Sequence, residues 1–190
     1  MIRRIIITGT PGVGKTTIGK AFAKKHNLPF VSVGSLVEGK RFTLKWLKKK
    51  LMNFEGVLES HLLCEFYLPD SFVFVFRCSP KVLAKRLAKR GYSKKKILEN
   101  LECEALDYCT ICAEIKYGKV FEIDCTKKSI RKIIEIMEKA LEGKAESEKV
   151  DFSKVLEDYP KFLKNVFSLC GDLSKRKPKK QRRIKIPTIS

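Results

Sequence analysis

A chain of 190 residues has room for one α/β domain with a full core and little more. No apolar run approaches the length of a membrane span, and Met1 leads straight into a strand, so a cytoplasmic protein with no secretory signal and no membrane contact is expected. Seven scattered cysteines, an odd number, argue against a disulfide framework, and a formal net charge of +20 makes the distribution of charge the question to ask.

The first predicted element is Arg4-Ile5-Ile6-Ile7-Thr8, a β-branched run of buried-strand length. It leads into Gly9-Thr10-Pro11-Gly12-Val13-Gly14-Lys15-Thr16-Thr17, which satisfies G-x-x-x-x-G-K-[ST]. A helix over Ile18 to Lys25 follows. Strand, glycine loop and helix together are the context in which this motif cradles phosphate. The glycines let successive N–H groups point inward, and the helix N-terminus adds partial positive charge. In that arrangement Lys15 reaches the β- and γ-phosphates of a nucleoside triphosphate, and the Thr16 hydroxyl can ligate Mg²⁺.

Pro29 to Val33 reads as a short second strand, and Gly34-Ser35 as the start of a helix with Ser35 as its cap. Residues Phe42 to Asn53 form an amphipathic helix with Leu44, Leu47 and Leu51 on one side and lysines on the other. Gly56 to His61 is the third strand and its exit. An acidic residue closing an apolar strand after a phosphate loop is where a metal-orienting carboxylate is found, which singles out Glu59. His61, two residues on at the carboxyl edge of that strand, is either a structural hydrogen-bonding residue or part of the site.

Ser71 to Arg77 is the clearest fully buried strand. Ser79-Pro80 opens a helix that carries Arg86 and Arg90 on one face and stops at Gly91. These two arginines are either surface charge or cations placed to offset charge on a transferred phosphoryl group. A single helix is then expected from Ser93 to Lys116, with a C-x-x-C at Cys109 and Cys112 that favours packing over metal. A fifth strand follows at Lys119 to Asp124, then a helix capped by Ser129 and reaching Leu141. Alternating strands and helices of this kind predict a parallel five-stranded sheet with helices on both faces.

The pattern changes at Gly143. Residues 143–174 suggest a helical appendage interrupted at Pro160. Residues 175–190 hold eight cations, Lys175, Arg176, Lys177, Lys179, Lys180, Arg182, Arg183 and Lys185, with Pro178 and Pro187 opposing regular structure. That density reads as a disordered, polyanion-binding tail. A second basic cluster spans Lys40 to Lys50.

Four stretches, in order and at similar spacing, resemble one family. They are Ile6 to Thr17, Val33-Gly34-Ser35-Leu36, Glu59-Ser60-His61 and Lys89-Arg90-Gly91-Tyr92. The chain over residues 1–142 is similar to the adenylate kinase isoenzyme 6 family, the Fap-type or coilin-interacting nuclear ATPases, which has archaeal relatives. The resemblance implies a P-loop, nucleoside monophosphate kinase-like fold, with strand order 2-3-1-4-5. It implies transfer of the γ-phosphoryl group of MgATP to AMP or a similar monophosphate, with ATP hydrolysis alongside. It further implies a part in late maturation of the small ribosomal subunit, with a platform protein of that subunit and rRNA as partners; the basic tail, which lies outside the resemblance, is by its charge the expected contact to rRNA.

Carried onto this chain, Gly12, Gly14, Lys15, Thr16, Thr17 and Arg90 would hold ATP, and Lys127 would border the adenine. Lys15, Arg90, Glu59, His61 and Arg86 are the catalytic candidates, and Thr16 with Glu59 the metal candidates. Residues 30–53 would form the monophosphate-binding segment, and residues 89–98 a short lid. The segment departs from the family by lacking its acidic stretch and being rich in lysine instead. That departure keeps a second reading open, an ATP-driven assembly factor that grips RNA or ribosomal protein and has little kinase activity.

Overall fold

The computed structural model describes residues 2–157, 160–162 and 164. Five strands form one all-parallel sheet: β1 (Arg4–Thr8), β2 (Phe30–Ser32), β3 (Gly56–Glu59), β4 (Ser71–Arg77) and β5 (Phe121–Asp124), in the order β2-β3-β1-β4-β5. That is the expected order. Seven α-helices connect them among the described residues: α1 (Lys15–Lys25), α2 (Val33–Val37), α3 (Leu44–Leu51), α4 (Pro80–Lys89), α5 (Lys94–Ala105), α6 (Tyr108–Tyr117) and α7 (Ile130–Leu141).

Strand periodicity of two sorts the side chains between two cores. Ile5 and Ile7 of β1, Val57 of β3, and Phe74 and Phe76 of β4 face one core, which α1, α4, α5 and α7 close. Ile6, Leu58, Val73 and Val75 face the other, closed by α3, α6 and the turn after β3. Every residue of β1 and β3 is buried, as a strand covered on both faces requires. Arg4 starts β1 buried, and its guanidinium donates to the carbonyls of Met52, Phe54 and Pro69, tying two loops at the amino end of the sheet.

Three local expectations are corrected. The helix expected from Ser93 to Lys116 is two helices, α5 and α6, broken at Asp107, which takes φ 53°. The cause is Arg77: its Nη2 donates to the Glu104 carbonyl at 2.9 Å and to the Asp107 carboxylate, so the chain turns around the guanidinium. Ser35 does not cap α2, which begins at Val33 with Ser32 before it. Leu44 does not share the buried face of α3. Leu47 and Leu51 are buried while Leu44 is 40% exposed.

The appendage begins as a strap rather than a helix. Glu148 N–H donates to the Glu122 carbonyl, the Glu122 N–H to Ser147 Oγ, and the Asp124 N–H to Glu148 Oε2. This covers the free edge of β5 and satisfies backbone groups an edge strand would leave open. A 3₁₀ turn follows at Ser153–Leu156. The basic tail at 175–190 lies outside the described residues, as does all of the appendage past residue 164. Among the described residues, no helix is long and apolar enough to cross a membrane.

Candidate active site

The site lies at the carboxyl ends of β1 and β3, beside the point where the chain changes direction across the sheet. Gly9 to Gly14 loop from β1 into α1. Gly9 has φ 131°, and a Cβ there would fall 2.3 Å from the Phe76 carbonyl oxygen; at Gly12, φ 100°, it would strike Leu83 and Leu87. Only glycine fits either place, because α4 and β4 pack directly under the loop. Gly14 precedes α1 with no side-chain cap, so the first turn of the helix keeps its N–H groups for an anion.

Lys15 is buried, and its ammonium donates to the carbonyls of Gly9 at 2.6 Å and Thr10 at 3.0 Å. Loss of water lowers its pKa, partly countered by Glu59. The lysine is therefore held inside the loop that would receive phosphate.

Glu59, the last residue of β3, is buried and accepts from Thr16 Oγ1 at 2.9 Å and from Ser32 Oγ. Among the described residues it forms no ion pair. A hydroxyl and a buried carboxylate, both oxygen donors, suit a small hard cation that keeps several waters and takes phosphate oxygens besides. His61 opens the 3₁₀ turn after β3, where its carbonyl accepts from Thr8 Oγ1 and Cys64 Sγ. Its ring keeps solvent contact, yet partial loss of water, followed by the Lys15 charge, lowers its pKa and favours neutral imidazole at pH 7.

A cavity of about 240 Å³ continues from the loop, lined by Gly12, Gly14, Thr17, Arg86, Arg90, Cys125 and Lys128 among others. Arg90 ends α4, exposed at the cavity mouth, with no side-chain partner among the described residues. Arg86, one turn earlier, is half-buried. It donates to the carbonyls of Val13 at 3.1 Å and Cys125 at 3.3 Å, joining the phosphate loop to the segment after β5. Lys127 is exposed and is not among the lining residues; Lys128 is, with its ammonium 2.9 Å from both the Asp124 carbonyl and Glu148 Oε2. Residues 89–98 are the end of α4, a turn at Gly91 and the first turn of α5, capped by Ser93 Oγ. A larger depression of about 410 Å³ beside Lys25 and α7 carries no comparable chemistry, since Lys25 and Arg131 are spent on Glu138 and Glu135.

Sequence reasoning missed three residues that shape the site. Ser32 is the second donor to Glu59, across the β2–β3 register that sets them side by side. Glu104 accepts from Thr10 of the loop, from the Cys78 N–H, and from Arg77 Nε at 3.0 Å. Arg77 also pairs with Glu122 at 2.6 Å and with Asp107. The signal in the sequence was an arginine closing an otherwise apolar strand, because a buried guanidinium requires carboxylates somewhere.

Fold and site together define a P-loop kinase-type protein. Among solved structures, the shikimate kinase from Bacteroides thetaiotaomicron is similar at TM-score 0.54 and 22% identity, over 73% of this chain and 98% of that one. At that identity the likeness shows the fold alone. The AAA domain family model matches residues 5–55 and 47–107. The chain is 34% identical over 177 residues to a protein of Methanocaldococcus jannaschii, covering 82% of this chain and 96% of that one. It is 40% identical over 157 residues to a protein of Methanothermobacter thermautotrophicus, covering 73% and 90%. Both carry the name "Putative adenylate kinase". The chain belongs to this archaeal kinase family of P-loop proteins.

Proposed function

We propose that the protein is an adenylate kinase-type phosphotransferase, moving the γ-phosphoryl group of ATP to AMP or a similar nucleoside monophosphate, with slower transfer to water. The observation that carries this reading is the hydrogen-bonded Thr16–Glu59 pair beside an uncapped helix N-terminus and a buried Lys15. The names of the relatives support the acceptor.

In this reading Gly12, Gly14, Thr16 and Thr17 bind the phosphates through loop and helix N–H groups and hydroxyls. Lys15 leaves the Gly9 and Thr10 carbonyls for the β- and γ-oxygens, and Arg90 comes in from the lid side, so two cations meet charge developing in transfer. Thr16 and Glu59 would hold Mg²⁺, which supplies charge neutralisation at the phosphate oxygens. Arg86 keeps the loop in register with the Cys125 segment. Lys127, with Lys128 beside it, borders the base. Residues 30–53 seat the monophosphate, and residues 89–98 exclude water. Neutral His61 orients a water when no monophosphate is present.

The motifs Glu59-Ser60-His61 and Lys89-Arg90-Gly91-Tyr92 support placement within the isoenzyme 6 branch. A second reading, favoured by the lysine-rich helix α3, is an ATP-driven factor in small-subunit maturation that holds rRNA and a ribosomal platform protein. Nucleotide binding and turnover in Lys15→Ala test the first reading. Turnover is expected to fall by roughly 10²–10³, as when one charge-stabilising donor is removed. Unchanged turnover in a folded variant would overturn it.

A further inference from the structure

The other basic cluster of the chain is structured; it lies within residues 30–53, the segment that seats the monophosphate in the reaction proposed above, and carries more cations than one monophosphate requires. Residues 39–54 carry six cations between Lys40 and Lys50 and neither Asp nor Glu. Four of the six, Lys45, Lys48, Lys49 and Lys50, sit on α3, whose Leu47 and Leu51 are 0% and 2% exposed and anchor it to the sheet. Thr43 Oγ1 caps the helix by accepting from the Trp46 N–H at 3.2 Å. The helix is thus a fixed platform with a defined outward face.

On that face stands Trp46, the sole tryptophan of the chain, with 42% of its surface open to solvent. Lys50, one turn on, sets its ammonium over the indole ring at 5.5 Å from the centroid. Lys45 and Lys49 form the adjoining row, both exposed. Among the described residues, none of the six cations has an acidic partner. Unpaired lysines gathered without any interspersed carboxylate repel one another, so the surface gains by meeting a polyanion. A large aromatic ring left half-open in their midst costs hydrophobic free energy that a partner with flat apolar faces removes.

We propose that the outer face of α3 binds single-stranded nucleic acid, with a base stacked on Trp46 and the backbone phosphates following Lys45, Lys49 and Lys50. Unpaired bases supply the flat face and phosphates supply the charge; no other common polyanion supplies both. A membrane surface fits less well, because the apolar side of α3 is already buried in the protein and cannot enter lipid. An acidic protein segment would match the lysines and leave the indole unused. The inference deepens the second reading above, by giving α3 a nucleic-acid site, and it does not depend on phosphoryl transfer to a monophosphate.

The test uses the full chain, so the eight cations between Lys175 and Lys185 are common to every variant. Trp46 reports directly, since no second tryptophan contributes fluorescence. Titration with oligo(U) or oligo(dT) is expected to quench it saturably, while inorganic polyphosphate, poly-glutamate and phosphatidylserine vesicles leave it unchanged. Anisotropy of the labelled oligonucleotide should show roughly five- to hundredfold weaker binding in Trp46→Ala, with Trp46→Phe restoring most of it. Replacing Lys45, Lys49 and Lys50 by Gln should reduce the slope of log K against log salt by about 2, from ~0.7 per phosphate contact. Thermal unfolding of each variant guards against loss of fold. Absence of quenching, equal quenching by polyphosphate, poly-glutamate or vesicles, or parental affinity in both Trp46→Ala and the triple lysine variant would overturn the proposal.

Discussion

Thr16 and Glu59 share a 2.9 Å hydrogen bond that joins the first turn of α1 to the last residue of β3, 43 positions apart in the chain. The bond fixes a hydroxyl and a carboxylate beside the phosphate loop before any nucleotide arrives. Preorganisation of this sort spares the reaction the cost of arranging polar groups when charge develops.

The first prediction concerns that pair. Glu59→Gln keeps the shape and the ability to accept from Thr16 and Ser32 but removes the negative charge. The Mg²⁺ concentration giving half-maximal turnover is expected to rise tenfold or more, with roughly unchanged thermal stability. A magnesium titration of the parent and the variant checks it. Identical titrations would remove Glu59 from the proposed metal site.

In the proposed reaction, His61 is the residue that separates two fates of the phosphoryl group. A bound monophosphate brings its own oxygen as nucleophile, whereas water must be held in line by a side chain. His61→Ala should therefore lower hydrolysis about tenfold or more and transfer to AMP by much less. If the residue only ties the turn after β3 to the sheet, both rates fall together and the melting temperature falls with them.

The same residue gives a pH dependence. Its pKa is lowered in the folded chain, chiefly by loss of water, so the unfolded chain binds the proton more tightly. Stability from this group is complete above the unfolded value, near 6.5, and declines as pH falls through the window beneath it. Hydrolysis should stay level from pH 8 down to about 6.5 and drop below that. His61→Gln should flatten both profiles in that window.

Arg77 is the structural keystone beneath the loop. Its guanidinium meets Glu104, Asp107, Glu122, Thr110 and the Val150 carbonyl, and Glu104 in turn holds Thr10. Arg77→Met strands three carboxylates, two of them buried, and should destabilise the fold by about 3–5 kcal/mol. For a domain of this size that is a melting-temperature drop of roughly 6–20 °C. Calorimetry of the two proteins measures it.

What the sequence disclosed and what it hid divide along sequence separation. Gly9 to Thr17 is a local pattern whose spacing carries its own geometry, and β3 was readable because Val57 and Leu58 end at one acidic residue. Strand alternation and the parallel order were legible from runs such as Phe72 to Phe76. The Ser32–Glu59 contact was not, since it depends on β2–β3 register across 27 positions. The break at Asp107 was hidden for a related reason. The stretch Ile97 to Tyr108 has helical periodicity throughout, and the turn is forced from outside, by an arginine on β4. From its spacing with Arg90, Arg86 reads as surface charge or a cation for a phosphoryl group; only packing shows that it also donates to the Val13 and Cys125 carbonyls.

The central claim, phosphoryl transfer to a monophosphate at this site, is tested most directly with γ-labelled ATP. Purified protein is incubated with and without AMP, and labelled ADP is resolved from labelled phosphate. The account predicts that AMP diverts the label from phosphate into ADP, and that Lys15→Ala loses both products together. Label that goes to phosphate alone, in the same amount with or without AMP, would contradict it.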